Sequence, residues 1–465
     1  MNRILGRGGP FSLFYQYPAL LRLGLISTCA ETTWATLLFV LEYYFKDELL
    51  KGESDQYIAS KIALAFLAFT GAETLLKYPM GALADRYGPR RFVIGAMAVC
   101  SVSPILMTAF GFLFKSYWPF IPLRAIDGLA AAALWPAMSA LMSRAVPREA
   151  KATAMSVFNA AYVLGLAVGP AAGLLLGHFL GTNLYVFPFT AGVMMIGLGI
   201  ALKSIPPETP NLETHGESIA QETAVLRGRP MLVRMMALYA LSQVGVGIMA
   251  PTVFIYIDKQ FGITQADLPR LLPIPALLVL AIAIPLGRLP DKIGQAKSVW
   301  VSYVLAAVGM LCIASSSLFP IDHRAVSPSL LIFGAGMGMM IVSFILGTPA
   351  WLGLTSLQVD ESKQARALSL MQTAQGVGVV FAYILVASAG HLLTTVEKVK
   401  LKIRHQDISQ IVTRPADIVP LSMWFWVAAA IFVVCLIGTL MFVREQAHHE
   451  DDEASAKQPL ELKGL

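Results

Sequence analysis

Several ionisable side chains stand inside stretches that are otherwise apolar: Glu31, Glu73, Lys77, Arg124 and Asp127. Glu31, within STCAETTWAT, has no opposite charge within a helical turn. A lone carboxyl held away from water is a candidate proton carrier, or else a structural acid fixed by hydrogen bonds. Arg124 and Asp127 are three residues apart and share one helical face. Asp127 is then either the permanent ion-pair partner of Arg124 or a second titrating site. Glu73 and Lys77 have the i,i+4 spacing of an in-helix salt bridge, and alternatively form a polar cluster for a charged part of a ligand. Glu42 and Arg22 lie near the ends of the same apolar run as Glu31 and are expected to snorkel to an interface.

The elements that must hold these groups are membrane helices. Of the 465 residues, 56% are hydrophobic and 14% charged, against about 25% charged in soluble domains. Apolar runs of about 20 residues, the length that crosses a bilayer as a helix, recur along the chain. The expected spans are 18–45, 59–82, 92–114, 118–143, 151–179, 183–204, 231–257, 268–288, 296–319, 326–353, 364–390 and 419–443. The expected fold is an all-α membrane protein of twelve transmembrane helices in two six-helix halves. Residues 1–204 form the N-terminal half and 231–443 the C-terminal half. The proline-rich stretch 205–230 is a cytoplasmic linker, and 444–465 is a polar tail.

Charge sets the orientation. Arg3 and Arg7, then Arg86, Arg90 and Arg91, then Arg144, Arg148 and Lys151, then Arg288, Lys292 and Lys297 all fall on one side of this layout. The positive-inside rule places that side, and both termini, in the cytoplasm of a bacterial inner membrane. The segment VEKVKLKIRH (396–405) is basic although external, and its strand-like alternation suggests a hairpin or surface segment, or a contact with lipid headgroups. Cys29, Cys100, Cys312 and Cys435 lie in apolar runs as small hydrophobes, so no disulfide or metal site is expected. His448 and His449 read as tail composition.

The chain repeats itself. GALADRYGPRR (81–91) and GRLPDKIGQAK (287–297) match at one constant offset through Gly81/Gly287, Leu83/Leu289, Asp85/Asp291, Gly88/Gly294 and Arg91/Lys297. A weaker match links 153–165 to 366–378. Internal repeats meeting at a central site are the usual build of secondary transporters. The doubled pattern G-x-L-x-D-x-x-G-x-x-(R/K) resembles the signature loop of the major facilitator superfamily. The resemblance implies gating by Gly81, Asp85, Arg86, Arg91, Gly287, Asp291 and Lys292, with Asp85 latching onto the start of span 11 and Asp291 onto the start of span 5. Pro89 and Pro290 depart from the family's pattern. Span 5 carries Gly165, Gly169, Gly173 and Gly177 every four residues, with Pro170 able to bend it. That is a close-packing seam, and its G-x-x-x-G-P-x-x-G string is similar to one in drug:proton antiporters of the superfamily. RAIDGLAAA (124–132) partly matches the family's fourth-span motif, which implies a part for Arg124 in proton coupling.

Central positions of the second half offer amides, hydroxyls and aromatics: Gln243, Tyr256, Ser343, Trp351, Gln372 and Gln375. A cavity between the halves would have a charged wall bearing Glu73 and Lys77 and a more apolar wall bearing Gln243, Tyr256, Trp351, Gln372 and Gln375, unless the glutamines bond across helices. The reading that fits is a proton-coupled exporter of amphipathic or hydrophobic compounds, with Glu31 and Asp127 as proton sites tuned by Arg124. Rivals are a transporter of lipids, lysolipids or lipid-linked sugars, an organic-acid symporter, and a non-transporting sensor or scaffold. No catalytic constellation or nucleotide loop appears, so neither an enzyme nor ATP as the energy source is expected. The formal charge of +6 is explained by topology rather than nucleic acid. No cofactor is expected; the partners are a small molecule, protons and lipid, for a monomer.

Overall fold

The computed structural model describes residues 17–145, 151–207, 229–264, 289–319, 327–359, 364–403 and 421–443, with single positions 267, 271, 282 and 286. Eleven helices among them are long and apolar enough to cross a membrane, and no strand occurs among the described residues. Most of the expected span 268–288, Gly287, most of the linker and the tail lie outside the described residues.

The first half runs α1 (Pro18–Tyr43), α2 (Asp55–Tyr87), α3 (Pro89–Leu113), α4 (Phe120–Arg144), α5 (Lys151–Leu180) and α6 (Val186–Ser204). The second comprises α7 (Pro230–Met249), α8 (Val253–Phe261), the short α9 (Leu289–Ile293), α10 (Gln295–Ser315), α11 (Pro328–Leu357), α12 (Gln364–Ile403) and α13 (Ser422–Phe442). Proline starts α1, α3, α7 and α11, where a missing N–H costs nothing.

Packing repeats as the sequence does. In the first half α1 lies on α5 and α6, and α3 lies on α4 and α6. In the second, the equivalent helices pair the same way: α7 lies on α12 and α13, and α10 lies on α11 and α13. The halves meet along α2 and α12.

Three expectations are corrected. The span 231–257 is not one helix. Pro251 removes an amide donor and crowds the carbonyl four residues back, so α7 ends at Met249 and α8 starts at Val253. The Thr252 hydroxyl donates to the Ile248 carbonyl at 2.8 Å, replacing one lost backbone bond. The segment 396–403 is not strand-like: α12 continues through it to Ile403. The stretch 391–403 contains no glycine or proline to stop a helix, and its three Leu and three Lys are good helix formers, so the helix carries through the short alternation. Glu42 does not snorkel; it is buried, at 2% exposure. Beyond Tyr43, α1 widens into a π turn over Tyr44–Leu49, where the Leu50 N–H reaches the Phe45 carbonyl at 2.8 Å.

Candidate functional site

Glu31 is buried on α1 against the glycines of α5. A methyl group on Gly165 would sit 2.7 Å from the Glu31 Cβ and 2.9 Å from the Thr28 carbonyl oxygen. One on Gly169 would sit 2.6 Å from the Thr32 carbonyl oxygen, and one on Gly173 would run into the Thr36 side chain. Threonine hydroxyls cross the same seam: Thr28 donates to the Ala161 carbonyl at 3.1 Å and Thr36 to the Gly169 carbonyl at 2.8 Å. Small residues thus bring two backbones into contact. Pro170 lies within α5, whose helix continues on both sides of it.

Around Glu31 stands a wall that the sequence reading missed. Trp135 of α4 meets Trp34 of α1 at 5.5 Å and Tyr162 of α5 at 5.5 Å between ring centroids, and Trp34 also meets Phe69 of α2 at 6.2 Å. The Tyr162 hydroxyl is within hydrogen-bonding reach of the Glu31 carboxyl, and Glu73 lies close enough for its charge to act on Glu31. Glu73 and Lys77 form the expected i,i+4 pair at 3.3 Å, with the lysine side chain 40% exposed. Trp34 comes one turn after Glu31 in the chain, which was the available signal; Trp135 and Tyr162 are distant in sequence, and nothing local tied them to it.

Arg124 and Asp127 form a separate centre. Their side chains are 1% and 0% exposed, and Arg124 Nη1 donates to Asp127 Oδ2 at 3.1 Å. The guanidinium lies over the Phe69 ring, 4.4 Å from its centroid, and the Cys100 thiol is 3.8 Å from Asp127 Oδ1. Phe69 therefore touches both the Arg124 pair and the aromatic wall beside Glu31.

In the second half, Trp351 Nε1 donates to the Tyr303 hydroxyl at 2.9 Å, and its ring lies 5.7 Å from Tyr239. The Tyr239 hydroxyl donates to Gln375 Oε1 at 3.3 Å, so Trp351 and Gln375 are joined through Tyr239. Gln243 is buried beside Gly378 of α12, and Gln372 is exposed. Tyr256 is apart from these. It is enclosed by Phe261, Phe333 and Phe425, with its hydroxyl 2.8 Å from Ser316 Oγ.

At the two motif loops, Gly81 packs against Pro136, whose Cβ would be 3.4 Å from an added methyl. Arg86, Arg91 and Lys292 are exposed, and Arg90 Nε donates to the Ile205 carbonyl at 2.8 Å, tying α3 to the end of α6. The side chains of Asp85 and Asp291 lie outside the described residues, so the expected latches do too.

The halves are held together at the opposite end. Lys46 Nζ reaches Asp258 of α8 at 2.6 Å, and Lys259 Nζ reaches Asp55 at 3.2 Å. Phe39 and Tyr43 meet Phe254 at 5.0 and 5.9 Å, and Trp424 Nε1 donates to Gln56 Oε1 at 3.0 Å. Both lysines fall just beyond the ends of the expected spans 18–45 and 231–257, where nothing in the sequence marks a partner.

Comparison with known proteins agrees with this architecture. A D-xylose–proton symporter superposes with a TM-score of 0.69 at 15% identity, covering 93% of this chain and 98% of that one. A point mutant of the nucleoside transporter NupG superposes at 0.68 with 12% identity, over 92% and 100%. In sequence, the multidrug resistance protein MdtG of Serratia proteamaculans (strain 568) is 28% identical over 218 residues, 46% of this chain and about half (52%) of that relative. The uncharacterized MFS-type transporter YhjO of Bacillus subtilis (strain 168) is 25% identical over 353 residues, 71% of this chain and 83% of the relative. The profile of the Major Facilitator Superfamily matches residues 23–383. With the doubled loop, the repeated packing and this match, the chain belongs to the major facilitator superfamily of membrane transporters.

Proposed function

We propose that this transporter is a proton-coupled exporter of amphipathic or hydrophobic organic compounds, working by alternating access across a bacterial inner membrane. The observation that carries the reading is the setting of Glu31. Its carboxyl is buried, backed by the glycine seam of α5, and flanked by Trp34, Trp135 and Tyr162 with Glu73 nearby. Acids beside aromatic faces suit lipophilic cations, which gain both from charge and from ring contact. The multidrug resistance protein MdtG among the relatives supports export.

In this reading the positive-inside rule makes the end holding Lys46–Asp258 and Lys259–Asp55 the periplasmic end. The contacts there shut the molecule toward the periplasm. Protonation of Glu31 competes with binding of a cationic cargo, so an inward proton gradient drives cargo out. Arg124 holds Asp127 as a fixed buried pair that keeps α4 in register beside Phe69. Asp85 and Asp291, with Gly81, Arg86, Arg91, Gly287 and Lys292, gate the cytoplasmic side, with both termini on that side.

The test is transport in proteoliposomes under an imposed pH gradient, screened over lipophilic cations, lysolipids and organic acids. Uphill movement of lipophilic cations, abolished by an uncoupler, is expected. Movement of lysolipids or organic acids alone would replace the cargo class, and gradient-independent transport would refute the coupling.

A further inference from the structure

Glu42 is a buried acid that the scheme above leaves idle. It is 2% exposed, and its Oε1 has no hydrogen-bond partner among the described residues. The hydroxyl of the fully buried neighbour Tyr43 has none either. A buried carboxylate with an unmet oxygen is costly, whereas a neutral acid is tolerable. One turn on stands the cation that would satisfy it. Lys46 is at i+4 from Glu42, the favourable order for a glutamate and a lysine on one helix. Yet the ammonium of this side chain, which is 7% exposed as a whole, is engaged elsewhere: Asp258 at 2.6 Å, Asp47 at 3.2 Å, and the Tyr43 ring at 5.1 Å. The π turn begins between the two residues, and such turns recur at functional sites. Asp47, Tyr43 and Tyr383 of α12 are the other titratable groups close enough to Glu42 to interact with it.

We propose that Lys46 is a partner switch: with this end closed it is bound to Asp258 of the other half and Glu42 holds a proton, and with this end open it turns to Glu42, which gives that proton up. Parting of the halves necessarily removes Asp258 from Lys46, and reversion of the π turn to α geometry brings Lys46 onto Glu42. The O–H bond of Glu42 breaks, its proton leaves to water at the opened face, and the carboxylate gains the ammonium. Opening is thereby linked to release of one proton at a second acid, remote from Glu31. This rests on the proton-coupled reading for its use in transport, but not for its test.

The test is the distance between nitroxide labels at Lys51 and Thr264, introduced as bio-orthogonal side chains in the full-length protein in lipid nanodiscs. It is measured from pH 5.5 to 9 without substrate. In the parent the open-to-closed ratio should rise with pH, and Glu42→Gln should lower that slope by one proton, about tenfold per pH unit. Asp258→Asn should raise the open fraction at every pH. A parent slope retained in Glu42→Gln overturns the switch. If Glu42→Gln fails to fold, Lys46→Met gives the decision: loss of the same slope supports the switch and an unchanged slope overturns it. A Glu42-dependent slope in a protein whose transport ignores the proton gradient would refute the coupling and leave the switch standing.

Discussion

Gly88 and Gly294, the matching glycines of the two motif copies, hold the same backbone conformation: φ +91° and ψ 128° in one, φ +95° and ψ 145° in the other. Each ends one helix and starts the next, at the head of α3 and of α10. This region of φ/ψ space is nearly closed to residues with a Cβ.

Replacing either by alanine should therefore cost about 1–3 kcal/mol and lower the thermal midpoint of the purified protein. Gly95→Ala is the control, because Gly95 lies within α3 with open space around it. An equal midpoint in Gly88→Ala and Gly95→Ala would show that the loop bears no strain.

The seam between α1 and α5 makes a second expectation. Gly165→Ala and Gly169→Ala push a methyl into the α1 backbone beside Glu31, an overpacking worth about 1–3 kcal/mol. Transport should fall more than expression, since α1 is displaced at the site. Gly192→Ala and Gly199→Ala, with nothing within 4 Å, should leave both unchanged. Transport assays on matched membrane amounts decide it.

Much of this was legible because membrane helices write themselves in composition and length. The glycine period of α5 showed a packing face, and Arg124–Asp127 and Glu73–Lys77 are local spacings that became pairs. What stayed hidden is long-range. Nothing near Lys46 points to Asp258, and nothing near Glu31 points to Trp135 or Tyr162. Burial of Glu42 against the snorkelling expectation follows from tertiary packing that hydropathy does not encode, whereas the break at Pro251 is local and lies in the proline itself.

Loss of one partner in the Arg124–Asp127 pair should damage folding. Both groups are almost wholly buried, and removing one charge leaves the other uncompensated, at about 3–5 kcal/mol. Asp127→Asn should lower expression and thermal midpoint, and Arg124→Gln together with Asp127→Asn should be milder than either change added up. A fully stable Asp127→Asn protein that has lost only its proton coupling would make Asp127 the proton site instead.

Glu31→Gln should uncouple the transporter while keeping it folded. The amide retains the shape of the neutral acid, so the contacts with Gly165 and the aromatic wall survive. It can neither release nor take up a proton. The parent should bind a lipophilic cation more tightly as pH rises, because the carboxylate attracts it and a proton displaces it. In Glu31→Gln that dependence should flatten, affinity should settle near the parent's low-pH value, and uphill transport should cease while downhill exchange persists. Tyr162→Phe separates orientation from proton carriage: it removes the hydroxyl within reach of Glu31 but keeps the acid, so the pH midpoint should move and uphill transport remain. Binding titrations across pH, with counterflow and gradient-driven uptake in proteoliposomes, measure each arm. If Glu31→Gln transports uphill as the parent does, the proton travels by another acid, and Glu42 is the next to replace.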